Sequence, residues 1–260
     1  MSDVHGRADL LAPLLAHFHT LPKEADSLFV NIGDAINRGR HNREAVALLM
    51  DQDNHFDQSE ILAGNHEIFL IDAFWSLGVD PSGLIAPRQN IENTWLWLDV
   101  GGEAVYREFS PERDMLFSDL PPHIEQHFGA YIRRLAGRSA PHHVEGDLLF
   151  VHAGVVPGQI ESSLRMGLQD QVVNGGHWAW IREPFLQWKG GWDKPERLII
   201  HGHSICAKAP FMSMEEARDA MVKVRKKGRI CLDIGAHCYG QLAGFEAVGN
   251  RYRIHISRGN

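Results

Sequence analysis

Asp3 and His5 stand two residues apart in Asp3-Val4-His5-Gly6, so in extended backbone a carboxylate and an imidazole share one face and could hold one cation. An isolated pair of this kind is more often a helix cap, with Asp3 capping the helix that follows. Gly33-Asp34 alone is an ordinary turn dipeptide. Gly64-Asn65-His66-Glu67 says more. The Asn65 amide oxygen can ligate a hard ion without adding charge, and His66, pointing elsewhere, is free for proton transfer. Read alone, the same four residues are equally a helix start, Asn65 capping and Glu67 in the first turn. His152 and His203 each close a short apolar run, whereas His142, His143, His177 and His237 read as ordinary structural histidines. Taken in order, two carboxylates, one asparagine and three histidines make a donor set of oxygen and imidazole without a thiolate. Such a set suits Mn²⁺, Fe or Zn²⁺ better than a structural zinc site. Six ligands exceed what one open ion needs and match two divalent ions sharing Asp34.

The elements that must position these residues repeat one theme. Leu28–Ile32 runs into Gly33-Asp34, Ile61–Ala63 into Gly64-Asn65, Leu148–Val151 into His152, and Leu198–Ile200 into His201-Gly202-His203. Runs this short and continuously apolar suit strands buried on both faces. Helical patterns lie between them: Leu10, Leu11, Leu14, Leu15 and Phe18 form one stripe, Asn42 to Met50 another, and a third follows His66. Strands alternating with helices predict α/β, with ligands gathered beyond the carboxyl ends of the strands. Residues 80–145 read as a helical insertion, with Ile124, Phe128, Tyr131, Ile132 and Leu135 on one helix face. Ser213-Met214-Glu215-Glu216 has capping-box form and opens a helix to about Lys226. Tyr252, Ile254 and Ile256 alternate with polar residues as a half-buried strand. The whole of 1–260 reads as one domain.

Composition sets outer bounds. Lys+Arg 26 against Asp+Glu 33 gives 26 − 33 = −7, so no nucleic-acid binding is expected. Hydrophobic content of 44% with 23% charged residues excludes wholesale disorder. No apolar run approaches about 18 residues, so no membrane span is expected. Cys206, Cys231 and Cys238 make no C-x-x-C pair and read as reduced thiols of a cytoplasmic protein. The basic run Lys223, Arg225, Lys226, Lys227 and Arg229 reads as a solvated helix end.

The blocks D-x-H-G, G-D-x-x-x-R-G, G-N-H-E, V-H-A-G and H-G-H-S together resemble the calcineurin-like metallophosphoesterases. Trp180-Ile181-Arg182-Glu183-Pro184-Phe185 and Leu232-Asp233-Ile234-Gly235-Ala236 are similar to signatures of their bacterial serine/threonine phosphoprotein phosphatase branch. The resemblance implies a four-layer α-β-β-α sandwich. It implies that Asp3, His5 and Asp34 hold one metal and that Asp34, Asn65, His152 and His203 hold the other, Mn²⁺ being the first choice. A metal-bridged hydroxide would attack phosphorus in line. His66 would be the general acid, oriented by residue 37, and Arg38 and Arg182 would grip the phosphoryl oxygens. Implied partners are a phosphorylated protein or a small phosphoester.

Three departures from that pattern carry expectations of their own. Only Met1 and Ser2 precede Asp3, so the first strand is expected to be short or missing, through an upstream start or a truncation. Asn37 stands where an aspartate usually pairs with the proton-donating histidine, which implies a lower His66 pKa and slower turnover of esters with poor leaving groups. Ala63 replaces an arginine often found before G-N-H-E, removing a phosphate contact. A symmetrical dinucleoside tetraphosphatase is the alternative activity, because its leaving group needs less help. A metal-binding protein that recognises phosphorylated partners without turnover is the alternative of another class.

Overall fold

The computed structural model describes residues 1–22, 26–76, 91–138, 140–168, 176–190, 192, 197–206, 213–222 and 228–259. The four apolar runs lie in, or at the end of, four strands. β1 (Leu28–Asn31) pairs in parallel with β2 (Gln58–Ile61). β3 (His142–Glu145), β4 (Leu148–Val151), β5 (Leu198–His201) and β6 (Arg229–Cys231) form one ladder in that order, β3 antiparallel to β4 and the others parallel. β7 (Gln241–Val248) and β8 (Arg251–Arg258) make an antiparallel hairpin.

Ile32, Leu62, Phe150, Ile200, Ile230, Ala243 and Ile254, drawn from all three sheets or the residues just after their strands, share one buried apolar cluster. Sheet therefore faces sheet. A larger cluster joins the opposite strand faces (Phe29, Leu149, Val151, Ile199) to the helices. Those helices carry the predicted stripes. α1 (Ala8–Thr20) buries Leu10, Leu11, Leu14 and Leu15, and α2 (Asn42–Met50) buries Ala45, Val46 and Leu49. α3 (Asn65–Ser76) follows the second polar turn. Helices outside and sheets inside give the layered α/β sandwich expected from the motifs.

Residues 91–136 hold three helices. α4 (Ile91–Trp97) leads through a kink at Leu98–Gly102, where Gly101 has φ 113°, into α5 (Glu103–Phe109). α6 (Leu120–Ala136) starts on the Pro121-Pro122 pair and buries the predicted face from Ile124 to Leu135. Among the described residues the remaining α-helices are α7 (Ile160–Leu164), α8 (Met214–Val222) and α9 (Ala236–Tyr239). The capping box of α8 is formed in both directions: Ser213 N donates to Glu216 Oε2 at 2.7 Å and Glu216 N donates to Ser213 Oγ at 3.1 Å. No helix among the described residues is long and apolar enough to cross a membrane.

Two features differ from expectation. The segment before Asp3 is not assigned as a strand, yet it runs along β1 with ladder-like bonds: Met1 N to Val30 O at 2.9 Å, Ile32 N to Met1 O at 3.0 Å and Asp3 N to Gly33 O at 3.0 Å. Arg229 is not part of a solvated helix end. It is fully buried in β6, its guanidinium 4.6 Å over the Phe185 ring, with Nη1 donating to Phe185 O and Nη2 to Trp188 O at 2.7 Å. Lys223, Arg225, Lys226 and Lys227 lie outside the described residues. Arg229 thus ties β6 to the 177–188 segment that carries Arg182. Removing it takes a charged donor from the Phe185 and Trp188 carbonyls and a packed side chain from the core, so Arg229→Met should destabilise the fold by about 1–3 kcal/mol in urea denaturation. Arg229→Lys, which lacks the fork, should recover less than half of that.

Candidate metal centre

The parallel strands deliver their polar turns to one place. The Asp34 carboxylate sits among three imidazoles: Oδ2 is 3.4 Å from His152 Nε2, 3.7 Å from His5 Nε2 and 4.0 Å from His66 Nε2. The Asn65 amide oxygen lies 3.1 Å from His152 Nε2 and 2.9 Å from His203 Nδ1. Two triads bring their ligand atoms within 4.8 Å of one another, His5–Asp34–His66 and Asp34–His152–His203. Asp34 belongs to both, as a bridging carboxylate would. Asp3 belongs to neither. Its carboxylate accepts from the Ser2 hydroxyl and, at 3.0 and 3.1 Å, from the backbone N–H of His203. Asn65 is the first residue of α3, but its side-chain oxygen faces the two histidines.

The donors are prepared for cations. His5 Nδ1 faces Ile36 O at 3.1 Å and His152 Nδ1 faces Ile32 O at 2.9 Å. A carbonyl can only accept, so each Nδ1 donates and each Nε2 is turned to Asp34, the arrangement typical of metal-ligating histidines. His203 Nε2 is buried without a hydrogen-bond partner. Burial pulls the pKa of His5 down to about 3 and that of His66 to about 4, and it holds His203 far below its ordinary value with the help of His152. Burial alone would raise the Asp34 carboxyl, but the imidazoles of His152 and His66 hold it well below the usual carboxylate range. Burial would lower His152, but Asp34 and then Asp3 raise it to about 9. The Asp34 carboxylate is thus ionised and His5, His66 and His203 are neutral, while His152 carries a proton that a divalent cation binding there would displace.

The backbone is bent to reach this geometry. Eight non-glycine residues among those described have positive φ, and six of them are Asp3, His5, Asp34, Asn37, Arg38 and His203. Each such conformation costs about 1–3 kcal/mol and survives only where its surroundings enforce it. Gly64 and Gly202 allow the loops to touch: a Cβ on Gly64 would overlap the Asp34 carboxylate, and one on Gly202 would overlap that of Asp3. Arg38 and Arg182 are exposed at the rim. Arg38 Nη1 is 3.4 Å from His5 Nε2, and the charge of Arg182 contributes to the depression of His203.

Two buried contacts act on the centre that the motifs do not assign to it. Glu67 accepts from Asp34 N at 2.8 Å, Ala35 N at 2.9 Å and Gly64 N at 2.8 Å, clamping both ligand loops. The G-N-H-E block contains it, but a carboxylate in a first helical turn has a simpler reading. Burial, and then the Glu67 carboxylate beside it, holds the Tyr131 phenol on α6 well above its ordinary pKa. Trp97 donates from Nε1 to Asn37 Oδ1 at 3.1 Å, and Asn37 Nδ2 lies 3.0 Å from His66 Nδ1. No spacing in the sequence joins residue 97 to residue 37.

Residues 1–237 match the calcineurin-like phosphoesterase family. The chain belongs to that family and is a metal-dependent phosphoesterase. Among solved structures it is similar to a serine/threonine phosphatase from Saccharomyces cerevisiae (13% identity, 100% of this chain and 78% of that one, TM-score 0.55). It is also similar to a cold-active protein-tyrosine phosphatase of the psychrophile Shewanella sp. (16% identity, 94% and 73%, TM-score 0.50). Both likenesses are of fold. No curated protein matches the chain.

The clamp gives a test. Glu67→Gln replaces an acceptor carboxylate by an amide that turns an N–H₂ toward backbone N–H groups. Its Mn²⁺ affinity should fall about 10- to 100-fold by titration calorimetry while the far-ultraviolet dichroism stays that of the parent. An unchanged affinity would remove Glu67 from the centre.

Proposed function

We propose that this calcineurin-like phosphoesterase is a dinuclear phosphoric monoester hydrolase acting on phosphorylated side chains of proteins, serine and threonine phosphates first. The observation that carries the hydrolase reading is the Asp34 carboxylate shared between His5 at 3.7 Å and His152 at 3.4 Å, with Asn65 and His203 beside the latter. The substrate class is supported by the motif around Trp180–Phe185. His5 and Asp34 would hold one ion, with Asp3 close by on the His203 backbone, and Asp34, Asn65, His152 and His203 would hold the other. When bound, two divalent ions, Mn²⁺ or else Fe or Zn²⁺, supply an activated water and neutralise charge on the phosphoryl oxygens.

The chain's own groups do the rest. Arg38 and Arg182, exposed at the rim, present planar guanidinium forks to the equatorial oxygens. His66, buried 4.0 Å from Asp34, would meet the leaving oxygen. Asn37 orients His66. The net charge of −7 argues against nucleic acid as a partner, and the free thiols suit a cytoplasmic enzyme.

A second reading, a symmetrical dinucleoside tetraphosphatase, is favoured by Asn37, since a phosphoanhydride leaving group needs little protonation. Competition between a phosphoserine peptide and diadenosine tetraphosphate separates the two.

The first experiment is Mn²⁺-dependent phosphate release from an aryl phosphate, with Asp34→Asn beside the parent. An aryl ester tests the centre without leaning on the general acid. Asp34→Asn, or a chelator, should lower the rate at least about 100-fold, since loss of a shared ligand disrupts both ions. Equal activity of Asp34→Asn and the parent would overturn the shared-ligand assignment.

A further inference from the structure

The amide of Asn37 can be oriented without ambiguity. An indole N–H is a donor only, so the Asn37 atom 3.1 Å from Trp97 Nε1 must be the oxygen. The atom 3.0 Å from His66 Nδ1 is then the N–H₂ group, which has no lone pair to offer and must donate. Nδ1 of His66 therefore accepts. In a neutral ring the hydrogen then resides on Nε2, the atom that lies 4.0 Å from Asp34 Oδ2. A ring nitrogen that carries hydrogen cannot ligate a metal, although distance alone groups His66 with His5 and Asp34.

The lock is built into the fold. Trp97 and Asn37 are both fully buried, and Asn37 is pinned at φ 70°. The indole sits on Gly102, where a Cβ would run into its ring. Next to it, Arg38 N donates to Gly101 O at 2.9 Å, so the kink after α4 is bonded to the residue following Asn37.

We propose that Trp97 is a positioning residue of the centre, through which Asn37 holds His66 as a hydrogen-bond donor at Nε2 and not as a metal ligand. The proposal rests on the phosphoesterase reading and orders its substrates. When the P–O bond breaks, the leaving oxygen takes the electron pair. An aryloxide or a phosphate departs as the anion, and the fixed N–H only has to hydrogen-bond it. A serine or threonine alkoxide needs a proton; a neutral ring, whose only N–H is at Nε2, would be left as an imidazolate by giving it up, so the alkoxide takes its proton from water. Aryl esters and phosphoanhydrides should thus turn over faster than alkyl esters, with departure of the leaving group limiting for the latter.

The test has three readouts on the full chain. In metal-free, ¹⁵N-labelled protein, with His66→Gln identifying the signals, long-range proton–nitrogen correlations should place the His66 hydrogen on Nε2. Trp97→Phe frees the amide to turn and should move part of that population to Nδ1. Asn37→Asp, whose carboxylate accepts from both neighbours, should move all of it. With Mn²⁺ bound, both variants should raise the alkyl-to-aryl ratio of kcat about tenfold, whereas simple loosening of the site lowers both rates together. His66→Gln should bind as many Mn²⁺ ions as the parent. Hydrogen on Nδ1 in the parent, an unchanged ratio in Asn37→Asp, or an ion lost with His66 would each overturn the proposal. If Trp97→Phe does not fold, Trp97→His, whose ring can still donate to the Asn37 oxygen, takes its place; hydrogen staying wholly on Nε2 in a folded Trp97→Phe would also overturn the proposal. Absence of hydrolysis of every ester would remove the phosphoesterase reading, while the nitrogen spectra and the metal count still judge the lock.

Discussion

Three backbone N–H groups from two loops converge on one buried carboxylate, and the geometry of the centre follows from that. Glu67 holds Asp34, Ala35 and Gly64 by their main chains, so the loops after β1 and β2 cannot separate. The arrangement puts two buried carboxylates side by side: burial, then the Asp34 charge, pushes the Glu67 pKa up. Three amide donors offset that repulsion. The distances of 3.4–4.0 Å from Asp34 to its three imidazoles depend on this clamp.

The strands alone could not impose it. Those that feed the centre are four residues long, and after β1 and β5 the chain adopts left-handed conformations that local energetics disfavour. What enforces the bends is bonding among the loops at the strand ends and the chain start. Gly202 N donates to His152 O at 2.8 Å, His203 N to the Asp3 carboxylate, and Asp3 N to Gly33 O. The chain start bridges the β1 side to the β5 side. Apolar clusters on both faces of the sheets supply the stability against which the strain is set.

The gathering of Asp34, Asn65, His152 and His203 was legible because each follows an apolar run at a glycine-bearing turn, a pattern with few other uses. The inner faces of α1 and α6 were legible from periodicity alone. Other features were not, each for a physical reason. The D-x-H spacing predicts a shared face in extended backbone, but Asp3 and His5 both have φ near +50°, and the Asp3 carboxylate turns to the His203 amide instead. β7 has no clean alternation because Gly244 interrupts its pattern, and that glycine is needed where the Phe18 ring of α1 packs on the strand. Arg229 resembles its lysine-rich neighbours in sequence; a charged residue signals burial only once its carbonyl partners, 41 and 44 residues away, are known. The link from Trp97 to Asn37 spans 60 residues and leaves no periodic trace.

That link also bears on why an amide can stand at position 37. Carboxylates are already dense here: Asp3, Glu67 and Asp233 are buried with raised pKa values, and the Asp34 charge contributes to each shift. A further buried carboxylate beside His66 would add to that repulsion, whereas asparagine keeps two hydrogen bonds at no charge. The neutral amide has a direction that a carboxylate lacks. A carboxylate accepts on both sides and leaves the imidazole free to donate; an amide must donate on one side, and the donor-only indole decides which. Exchanging charge for direction makes the state of His66 depend on a tryptophan from outside the metal-binding blocks, and so couples the helices of 91–109 to the chemistry at the strand ends.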